Sequence, residues 1–190
     1  MKVKGTETEK NLLKAFAGES QARNRYGFFA SQAIKEGYQQ ISAIFTETAD
    51  NEREHGKRFF KFLEGGGVEI QATYPAGKIG TTAENLLAAA AGEREEWGSI
   101  YPGFAEIARK EGLDEVAKVF TEIAEVEEHH ERRYLKLAEN VEKGKVFKRD
   151  KPVAWKCRNC GYVHEGAEAP MVCPACAHPR AYYELFVENY

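Results

Sequence analysis

Six ionisable residues of this chain occupy positions where a helical pattern calls for apolar core residues, and they occur in two matching halves. They are Glu19, Glu52, His55, Glu93, Glu127 and His130. Each lies on a stripe of mainly hydrophobic residues spaced by three and four, which is typical of the buried face of a bundle helix. Because burying unpaired charge costs several kcal/mol per ion, these carboxylates and imidazoles require a cation among them. Two metal ions are the simplest answer.

The two halves are repeats that differ in length by one residue. The two Glu-x-x-His motifs are 75 residues apart, whereas Glu19 and Glu93 are 74 residues apart. The offset returns to 75 at Tyr26 and Tyr101. One residue has therefore been gained between Glu93 and Tyr101. Because an extra residue in a continuous helix is usually absorbed as a π-bulge, often near a functional site, we expect an irregular turn there.

Helix boundary signals predict four helices in two antiparallel hairpins, joined by a long crossover through Gly65–Gly80. The signals are the capping boxes Thr6/Glu9 and Thr81/Glu84 and the helix-ending glycines Gly37, Gly112 and Gly144. From about Pro152 the composition changes to Cys, Pro, Gly and aromatic residues. We therefore predict an all-α four-helix bundle over residues 1–146 and a small, β-rich tetracysteine domain over residues 152–190.

Composition and charge exclude several classes of function. The 190 residues are enough for one full core and a small appended module. The formal net charge is -3 with both signs interspersed, so the chain has no basic nucleic-acid-binding pattern. The first ten residues lack the apolar core of a signal peptide, and the longest aliphatic run, Leu86–Ala91, is too short to span a bilayer. We expect a cytoplasmic protein that binds neither nucleic acid nor membrane.

The donor types of the bundle residues favour iron or manganese. Each Glu-x-x-His motif places a carboxylate and an imidazole about one turn apart on the same helix face. One Glu from each of two helices and a Glu-x-x-His from each of the other two is the pattern of ferritin-like carboxylate proteins. Oxygen-rich ligation with imidazole suits iron or manganese with positions open to an oxygen species. The alternative is surface charge that merely follows the helical period.

Three further residues extend this candidate site. Glu96 lies one turn beyond Glu93 and is a seventh potential ligand, or else a solvated residue beside Trp97. Tyr26 and Tyr101 lie on or near the inner stripes and are candidate hydrogen-bond donors to the ligand carboxylates. Ordinary core tyrosines fit their positions as well.

The second candidate site is a pair of Cys-x-x-Cys motifs near the C-terminus. Its members are Cys157, Cys160, Cys173 and Cys176. Four thiolates bind either zinc as a structural clip or iron as a one-electron carrier, and two disulfides in a secreted domain are the alternative. Iron is favoured because a two-electron iron centre in the bundle needs refilling one electron at a time. We also expect the N–H groups of Gly161 and Ala177 to reach the sulfurs, and Tyr162, Tyr182 and Phe186 to form the core.

Taken together, these motifs resemble the rubrerythrin family over essentially the whole chain. The resemblance is carried by the segment Phe16–Tyr26, the two Glu-x-x-His motifs, Glu93-x-x-Glu96 and the two cysteine pairs. It implies a ferritin-like four-helix domain with a non-haem diiron site, followed by a rubredoxin-like domain. It also implies a cytoplasmic, NAD(P)H-linked peroxidase that reduces hydrogen peroxide and protects an anaerobe or microaerophile from oxidative stress. Its electrons arrive through separate redox proteins, such as rubredoxin or an NAD(P)H-dependent reductase.

The resemblance also implies roles for individual residues. The residues that match diiron ligands of the family are Glu19, Glu52, Glu93, Glu96, Glu127 and His130, with Glu52 and Glu127 as bridging carboxylates. His55 matches the residue that takes one iron in the reduced centre, while Glu96 holds that iron in the oxidised centre. The four cysteines match rubredoxin-type iron ligands, with zinc as a substitute. The family further suggests a head-to-tail homodimer.

Two other functions are compatible with the motifs. The first is a ferroxidase or iron-sequestering protein in the manner of ferritins. The second is a scaffold protein whose tetracysteine site is a structural zinc ribbon. Colour separates zinc from iron, because an iron tetrathiolate is red when oxidised.

Overall fold

The computed structural model describes residues 2–189, so Met1 and Tyr190, the outer ends of the two predicted domains, lie outside it. The helices are α1 (Glu7–Lys35), α2 (Gln39–Phe60), α3 (Thr82–Glu95), a π-helix (Glu96–Ile100), α4 (Tyr101–Lys110) and α5 (Asp114–Glu142). The strands are β1 (Lys148–Cys157), β2 (Val163–Glu168) and β3 (Tyr183–Leu185), with a 3₁₀ turn at Arg180–Tyr182. The predicted fold class, a four-helix bundle with a small β-rich domain, is confirmed, since α3, the π-helix and α4 follow one another without a break.

The predicted capping residues and helix-ending glycines lie at the ends of the helices. The Thr6 side chain accepts a hydrogen bond from the N–H of Glu9, and Thr81 and Glu84 form a complete capping box. At the first helix the Glu9 carboxylate accepts from the N–H of Gly5 instead of that of Thr6, so that box is only half formed. The helix-ending glycines, Gly37, Gly112 and Gly144, have φ of 82°, 72° and 62°. Glycine reaches this left-handed backbone region without the steric cost that a side chain brings.

The expected irregular turn is confirmed as the π-helix Glu96–Ile100. The N–H of Tyr101 donates to the carbonyl of Glu96, five residues earlier, which is the π-helical bond. Pro102 follows at the start of α4, where a missing N–H is tolerated. The extra residue of the second hairpin is thus absorbed locally, and Tyr101 still reaches the bundle interior.

The hydrophobic core of the bundle divides into two clusters along the helix axes. One contains Leu12, Phe59, Tyr101 and Phe120, and the other contains Tyr26, Phe45, Leu86 and Tyr134. Along α1, α2 and α5, the charged residues of the predicted site fall between a residue of one cluster and a residue of the other. The polar site is therefore bounded by apolar packing at both ends.

The C-terminal domain is a three-stranded antiparallel sheet with strand order β2-β1-β3. Its core contains Trp155, Cys157, Ala169, Cys173 and Tyr183, with Tyr182 packed against it. The prediction that Tyr162 belongs to this core is wrong, since Tyr162 is exposed. The three predicted aromatic residues, Tyr162, Tyr182 and Phe186, lie just outside the strands, where no alternation of inward and outward side chains indicates which of them is buried.

The two domains meet at the turn between α1 and α2. The Tyr38 and Phe147 rings are stacked with centroids 6.1 Å apart, and a Cβ built on Gly37 would lie 3.6 Å from that of Ala181. The sheet begins at Lys148, a few residues before Pro152, the predicted start of the second domain. The division of the chain into two domains stays a prediction. No helix within residues 2–189 is both long and apolar enough to cross a membrane.

Candidate metal centre

The bundle brings six of the seven predicted residues into two overlapping groups. Each group offers four ligand atoms that all lie within 4.8 Å of one another. The first group is Glu19, Glu52, His55 and Glu127, and the second is Glu52, Glu93, Glu127 and His130. Glu52 and Glu127 belong to both groups. Two neighbouring cation positions that share two carboxylates follow directly from this arrangement.

Both histidines face the shared carboxylates through Nδ1. His55 Nδ1 lies 2.9 Å from Glu52 Oε2 and 2.9 Å from Glu127 Oε1. His130 Nδ1 lies 2.7 Å from Glu127 Oε2 and 3.3 Å from Glu52 Oε1. Each shared carboxylate therefore presents one oxygen to His55 and the other oxygen to His130.

Unsatisfied polar atoms at the site fit bound cations. The exposed fraction is 1% for Glu19, Glu52 and Glu93 and 0% for Glu127. Among residues 2–189, the site atoms that are buried without a partner in hydrogen-bond geometry are Glu19 Oε2, Glu52 Oε1, both carboxylate oxygens of Glu127 and His130 Nδ1. Buried polar atoms almost always have partners, and the four carboxylate oxygens in this set are acceptors whose lone pairs no donor satisfies. A metal ion satisfies such a donor set.

Burial makes the negative charge of this site costly. Desolvation raises the pKa of Glu19, Glu93 and Glu96 well above the usual carboxyl range, and the charges of Glu52 and Glu127 raise it further. With carboxylates this close, protons or metal ions must neutralise the cluster. Metal binding displaces those protons, since ligands bind in their deprotonated form.

The histidines respond to the same charge in the opposite direction. Burial lowers the pKa of both imidazoles, but the close carboxylates of Glu127 and Glu52 outweigh it by favouring the charged imidazole. The pKa rises to about 10 for His55 and to about 9 for His130. The carboxylates of the site therefore favour positive charge strongly enough to keep both imidazoles protonated when no metal ion is bound.

The two predicted tyrosines hydrogen bond to the site in a crossed arrangement. Tyr26, on α1, donates its hydroxyl hydrogen to Glu93 Oε1 on α3 at 2.6 Å. Tyr101, at the start of α4, donates to Glu19 Oε1 on α1 at 2.5 Å. Each hairpin thus orients the carboxylate of the other hairpin. This is the arrangement expected of residues that hold metal ligands in position.

Glu96, the seventh predicted residue, lies outside both groups. It is the first residue of the π-helix, and its Oε1 is 3.8 Å from the point where a Cβ on Gly18 would stand. It lines a cavity beside the site, together with Tyr26 and Tyr101. The described arrangement therefore pairs His55, and not Glu96, with Glu19.

Two features near Glu96 were not found from the sequence. Trp97 Nε1 donates to Glu131 Oε2 at 2.6 Å, and the Arg94 guanidinium lies 4.4 Å from the Trp97 ring, so the π-helix is fastened to α5. Tyr74, from the crossover, donates its hydroxyl hydrogen to the carbonyl of Lys14 at 2.7 Å and so anchors the crossover to α1. A lone aromatic residue in a Gly- and Pro-containing segment was the available signal for Tyr74.

The four cysteines of the second domain also converge. Their four sulfur atoms all lie within 4.8 Å of one another. The Sγ–Sγ distance is 3.6 Å between Cys160 and Cys173 and 3.8 Å between Cys157 and Cys176. A disulfide needs about 2.05 Å, and all four are free thiols. The pattern of four convergent sulfurs from two knuckles is that of a tetrahedral metal site.

The N–H groups that reach these sulfurs are not the predicted ones. The N–H groups of Gly161 and Ala177 donate to the carbonyls of Cys157 and Cys173 at 2.8 Å and 2.9 Å. The N–H of the next residue in each knuckle reaches the sulfur instead. The N–H of Tyr162 acts on Cys160, but the neighbouring cysteine sulfurs raise the pKa of Cys160 to about 12. The N–H of His178 lowers the pKa of Cys176 to about 6. A thiolate stabilised in this way is the form that binds metal.

Comparison with known proteins decides the family. Residues 10–138 match the Rubrerythrin family model, and residues 155–184 match the model of the rubredoxin-like domain of rubrerythrin. The chain belongs to the rubrerythrin family. The first match covers the helices that carry the bundle site, and the second covers all four cysteines. The bundle accordingly carries a ferritin-like diiron site, and the second domain carries a rubredoxin-like four-cysteine site.

Curated relatives match along nearly their whole length. Rubrerythrin of Porphyromonas gingivalis is 63% identical over 188 residues, covering 99% of this chain and 94% of the relative. Rubrerythrin of Nitratidesulfovibrio vulgaris is 60% identical over 188 residues, covering 99% of this chain and 98% of the relative. These relatives share both domains of the family with this chain.

Solved structures agree on the fold. Fully reduced, all-ferrous nigerythrin superimposes with a TM-score of 0.64 at 30% identity, covering 97% of this chain and 92% of nigerythrin. The bacterioferritin BfrA of Mycobacterium tuberculosis reaches a TM-score of 0.64 at 18% identity, covering 75% of this chain and 90% of that protein. At such low identity the second likeness shows the fold alone, and it supports the ferritin-like description of the bundle.

Proposed function

We propose that this chain is a non-haem diiron peroxidase that reduces hydrogen peroxide to water. The observation that carries the proposal is the presence, in one chain, of a buried two-cation carboxylate site and a four-thiolate site. The first suits a two-electron reaction and the second suits one-electron supply. Electrons arrive from NAD(P)H through a reductase or rubredoxin, and the reaction protects the cytoplasm from oxidative stress.

Each residue of the bundle site has a role in this proposal. Glu19 and His55 would hold one iron, Glu93 and His130 would hold the other, and Glu52 and Glu127 would serve both, since they belong to both groups. When bound, the iron pair supplies the two electrons that break the O–O bond. The carboxylates neutralise its charge within an apolar surrounding. Tyr26 and Tyr101 keep Glu93 and Glu19 oriented through their hydrogen bonds.

Glu96 and His55 would be alternative ligands of one iron, the imidazole in the reduced centre and the carboxylate in the oxidised centre. This proposal is supported by their different placement, since His55 belongs to a four-residue group and Glu96 stands just outside it. A neutral imidazole suits the lower charge of a reduced iron, and a carboxylate suits the higher charge of an oxidised iron. The π-helix presents Glu96 at the edge of the site, and its fastening to α5 through Trp97 holds that segment in position.

The tetrathiolate centre serves the bundle site of a partner chain in a head-to-tail homodimer. The second domain contacts the bundle near Gly37, beyond the end of α1 at Lys35. The helix between Glu19 and Lys35 corresponds to about 24 Å, a long separation for direct electron transfer within one chain. A second copy in the opposite direction brings the two kinds of centre together.

The decisive experiment follows the colour of the tetrathiolate iron. The holoprotein is reduced without oxygen, its iron is quantified, and hydrogen peroxide is added while the red absorbance is recorded. Fast, stoichiometric return of the colour, well ahead of its return with dioxygen, is expected. Slow return of the colour with iron in both sites would show that the two centres do not exchange electrons, and it would overturn the proposal in favour of a ferroxidase. Gel filtration would then test whether the protein forms an iron-storing shell.

A further inference from the structure

A cavity of about 490 Å³ opens beside the bundle site. It lies between α1, the π-helix, α4 and the crossover segment around Tyr74. Glu96, Tyr26 and Tyr101 line it, and the hydroxyls of these two tyrosines hydrogen bond to Glu93 and Glu19. The cavity therefore lies next to side chains that contact the carboxylates of the candidate diiron site.

The walls of this cavity are mainly apolar. Side chains of Ile100, Phe104 and Ile107 form one side, and Tyr74 forms another. Space is left at Gly103 of α4: among the described residues, no heavy atom lies within 4 Å of a Cβ built there. Cavities of 300–1,000 Å³ with apolar walls and a few convergent polar groups are typical of sites for small organic molecules.

Hydrogen peroxide does not require such a space. A water molecule takes up about 30 Å³ in the liquid, and hydrogen peroxide has only two oxygen atoms. A narrow polar channel would admit it. The volume and the apolar walls instead fit the hydrocarbon part of a larger molecule, whose burial is favourable by about 25 cal/mol per Å².

The charged groups at the cavity favour an uncharged ligand. Lys14 Nζ is held by Glu7 and Asn11 at 3.5 Å and 3.3 Å. Arg25 Nη1 is held by Gln21 at 3.1 Å. Lys14 is paired with the Glu7 carboxylate, and the carboxyl groups of Glu95 and Glu96 line the cavity together with Arg25, so a fatty-acid anion gains little there.

We propose that this cavity binds the hydrocarbon part of uncharged organic hydroperoxides and directs their –OOH group to the Glu96 end of the diiron site. The inference rests on the proposed peroxidase function and names a further substrate class for it. The O–O bond of ROOH breaks, and two electrons from the reduced site and two protons are taken up. The products are the alcohol ROH and one water. The alcohol leaves through the same cavity.

The test compares cumene hydroperoxide with hydrogen peroxide in the iron-loaded protein. Gly103→Leu fills the cavity at a helical position with free space, and leucine forms helix better than glycine. The matched control is Gly27→Leu, a helical glycine that also has no heavy atom within 4 Å of its built Cβ in the described structure and does not line this cavity. In Gly103→Leu, the ratio of kcat/KM for cumene hydroperoxide to that for hydrogen peroxide should fall about ten-fold or more. The control should keep the ratio.

A binding measurement removes the dependence on turnover. Calorimetric titration of the holoprotein with 2-phenyl-2-propanol, the alcohol product, should show saturable binding that Gly103→Leu abolishes and Gly27→Leu retains. Reduction of hydrogen peroxide without binding of the alcohol, or an unchanged ratio in a folded Gly103→Leu protein, would overturn the cavity assignment alone. A protein that reduces neither peroxide overturns the proposed function and this inference with it.

Discussion

The two helical hairpins of the bundle are repeats that differ at the one place where the site is asymmetric. Glu19 and Tyr26 of the first hairpin correspond to Glu93 and Tyr101 of the second, and each tyrosine holds the glutamate of the other hairpin. Where the first hairpin has Ala22, the second has Glu96, at the start of the π-helix. Duplication thus accounts for two similar cation positions. The hairpins differ by Glu96 in place of Ala22 and by one added residue before Tyr101.

The two cysteine knuckles show the same relation on a smaller scale. Cys157-x-x-Cys160 is followed by Gly161, and Cys173-x-x-Cys176 is followed by Ala177. Both following residues have positive φ, 81° and 57°, and Ala177 is the one non-glycine residue of the described chain that does. Both N–H groups bond to the first cysteine carbonyl of their knuckle. The two knuckles therefore share one backbone conformation, and the second adopts it with alanine, at a steric cost that glycine avoids.

The largest loss of activity is expected from changing a carboxylate that belongs to both four-residue groups. Glu127→Gln removes one anionic charge from both four-residue groups, whereas Glu125→Gln changes an exposed residue on the same helix. Iron bound to the bundle should fall from two ions toward none, and peroxidase activity should fall by about 100-fold or more, beyond the usual cost of losing a supporting hydrogen bond. Metal analysis and steady-state rates measure both. Full iron content in Glu127→Gln would refute the shared role.

Removing the asymmetry of the second hairpin should come next in size. Deleting Ser99 from the π-helix restores the seven-residue spacing of Glu19 and Tyr26, so the segment is expected to become a regular α-helix. The melting temperature of the deletion protein should not fall, but its peroxidase activity should decrease by up to about 100-fold. Glu96→Ala should lose a similar amount of activity. Circular dichroism and rates provide the readouts.

The control for this deletion lies in the first hairpin. Removing Asn24 from α1, which has no extra residue to lose, rotates the inward face of the rest of the helix by about 100°. That protein should be clearly destabilised. Equal stability losses in the two deletion proteins would contradict the idea that the second hairpin stores one dispensable residue.

A smaller effect is expected from the crossed tyrosines. Tyr26→Phe and Tyr101→Phe each remove one hydrogen bond to a ligand carboxylate and should lower activity about ten-fold. Tyr134→Phe is the matched control, because the Tyr134 hydroxyl is equally buried but has no hydrogen-bond partner among the described residues. Stopped-flow rates on iron-loaded proteins compare the three. A loss in Tyr134→Phe as large as in the other two would assign the effect to packing.

The smallest effect concerns the knuckles. Ala177→Gly relieves a left-handed conformation and should stabilise the second domain by about 1 kcal/mol, and Gly161→Ala should destabilise it by a similar amount. Loss of the red colour on heating or in guanidinium reports the change. Shifts of the same sign in both variants would argue against a backbone origin.

Some of the site followed from sequence because it depends on helical periodicity alone. A period of 3.6 residues puts Glu52, His55, Glu127 and His130 on inward stripes whatever their rotamers are. The change of offset between the repeats located the π-helix for the same reason, since it depends only on counting residues. The donor residues of the knuckles were misplaced by one position, because spacing does not say which lone pair a given N–H faces.

The sequence by itself determined the fold class, the six residues that converge, the four thiols and the irregular turn, because these follow from periodicity, spacing and repeat length. Only the tertiary structure decided that each tyrosine bonds to the opposite hairpin, that His55 and not Glu96 stands beside Glu19, and that the crossover closes a cavity over the site. These depend on how helices rotate against one another and on which rotamers their packing allows, and such contacts between distant residues are not written in local pattern.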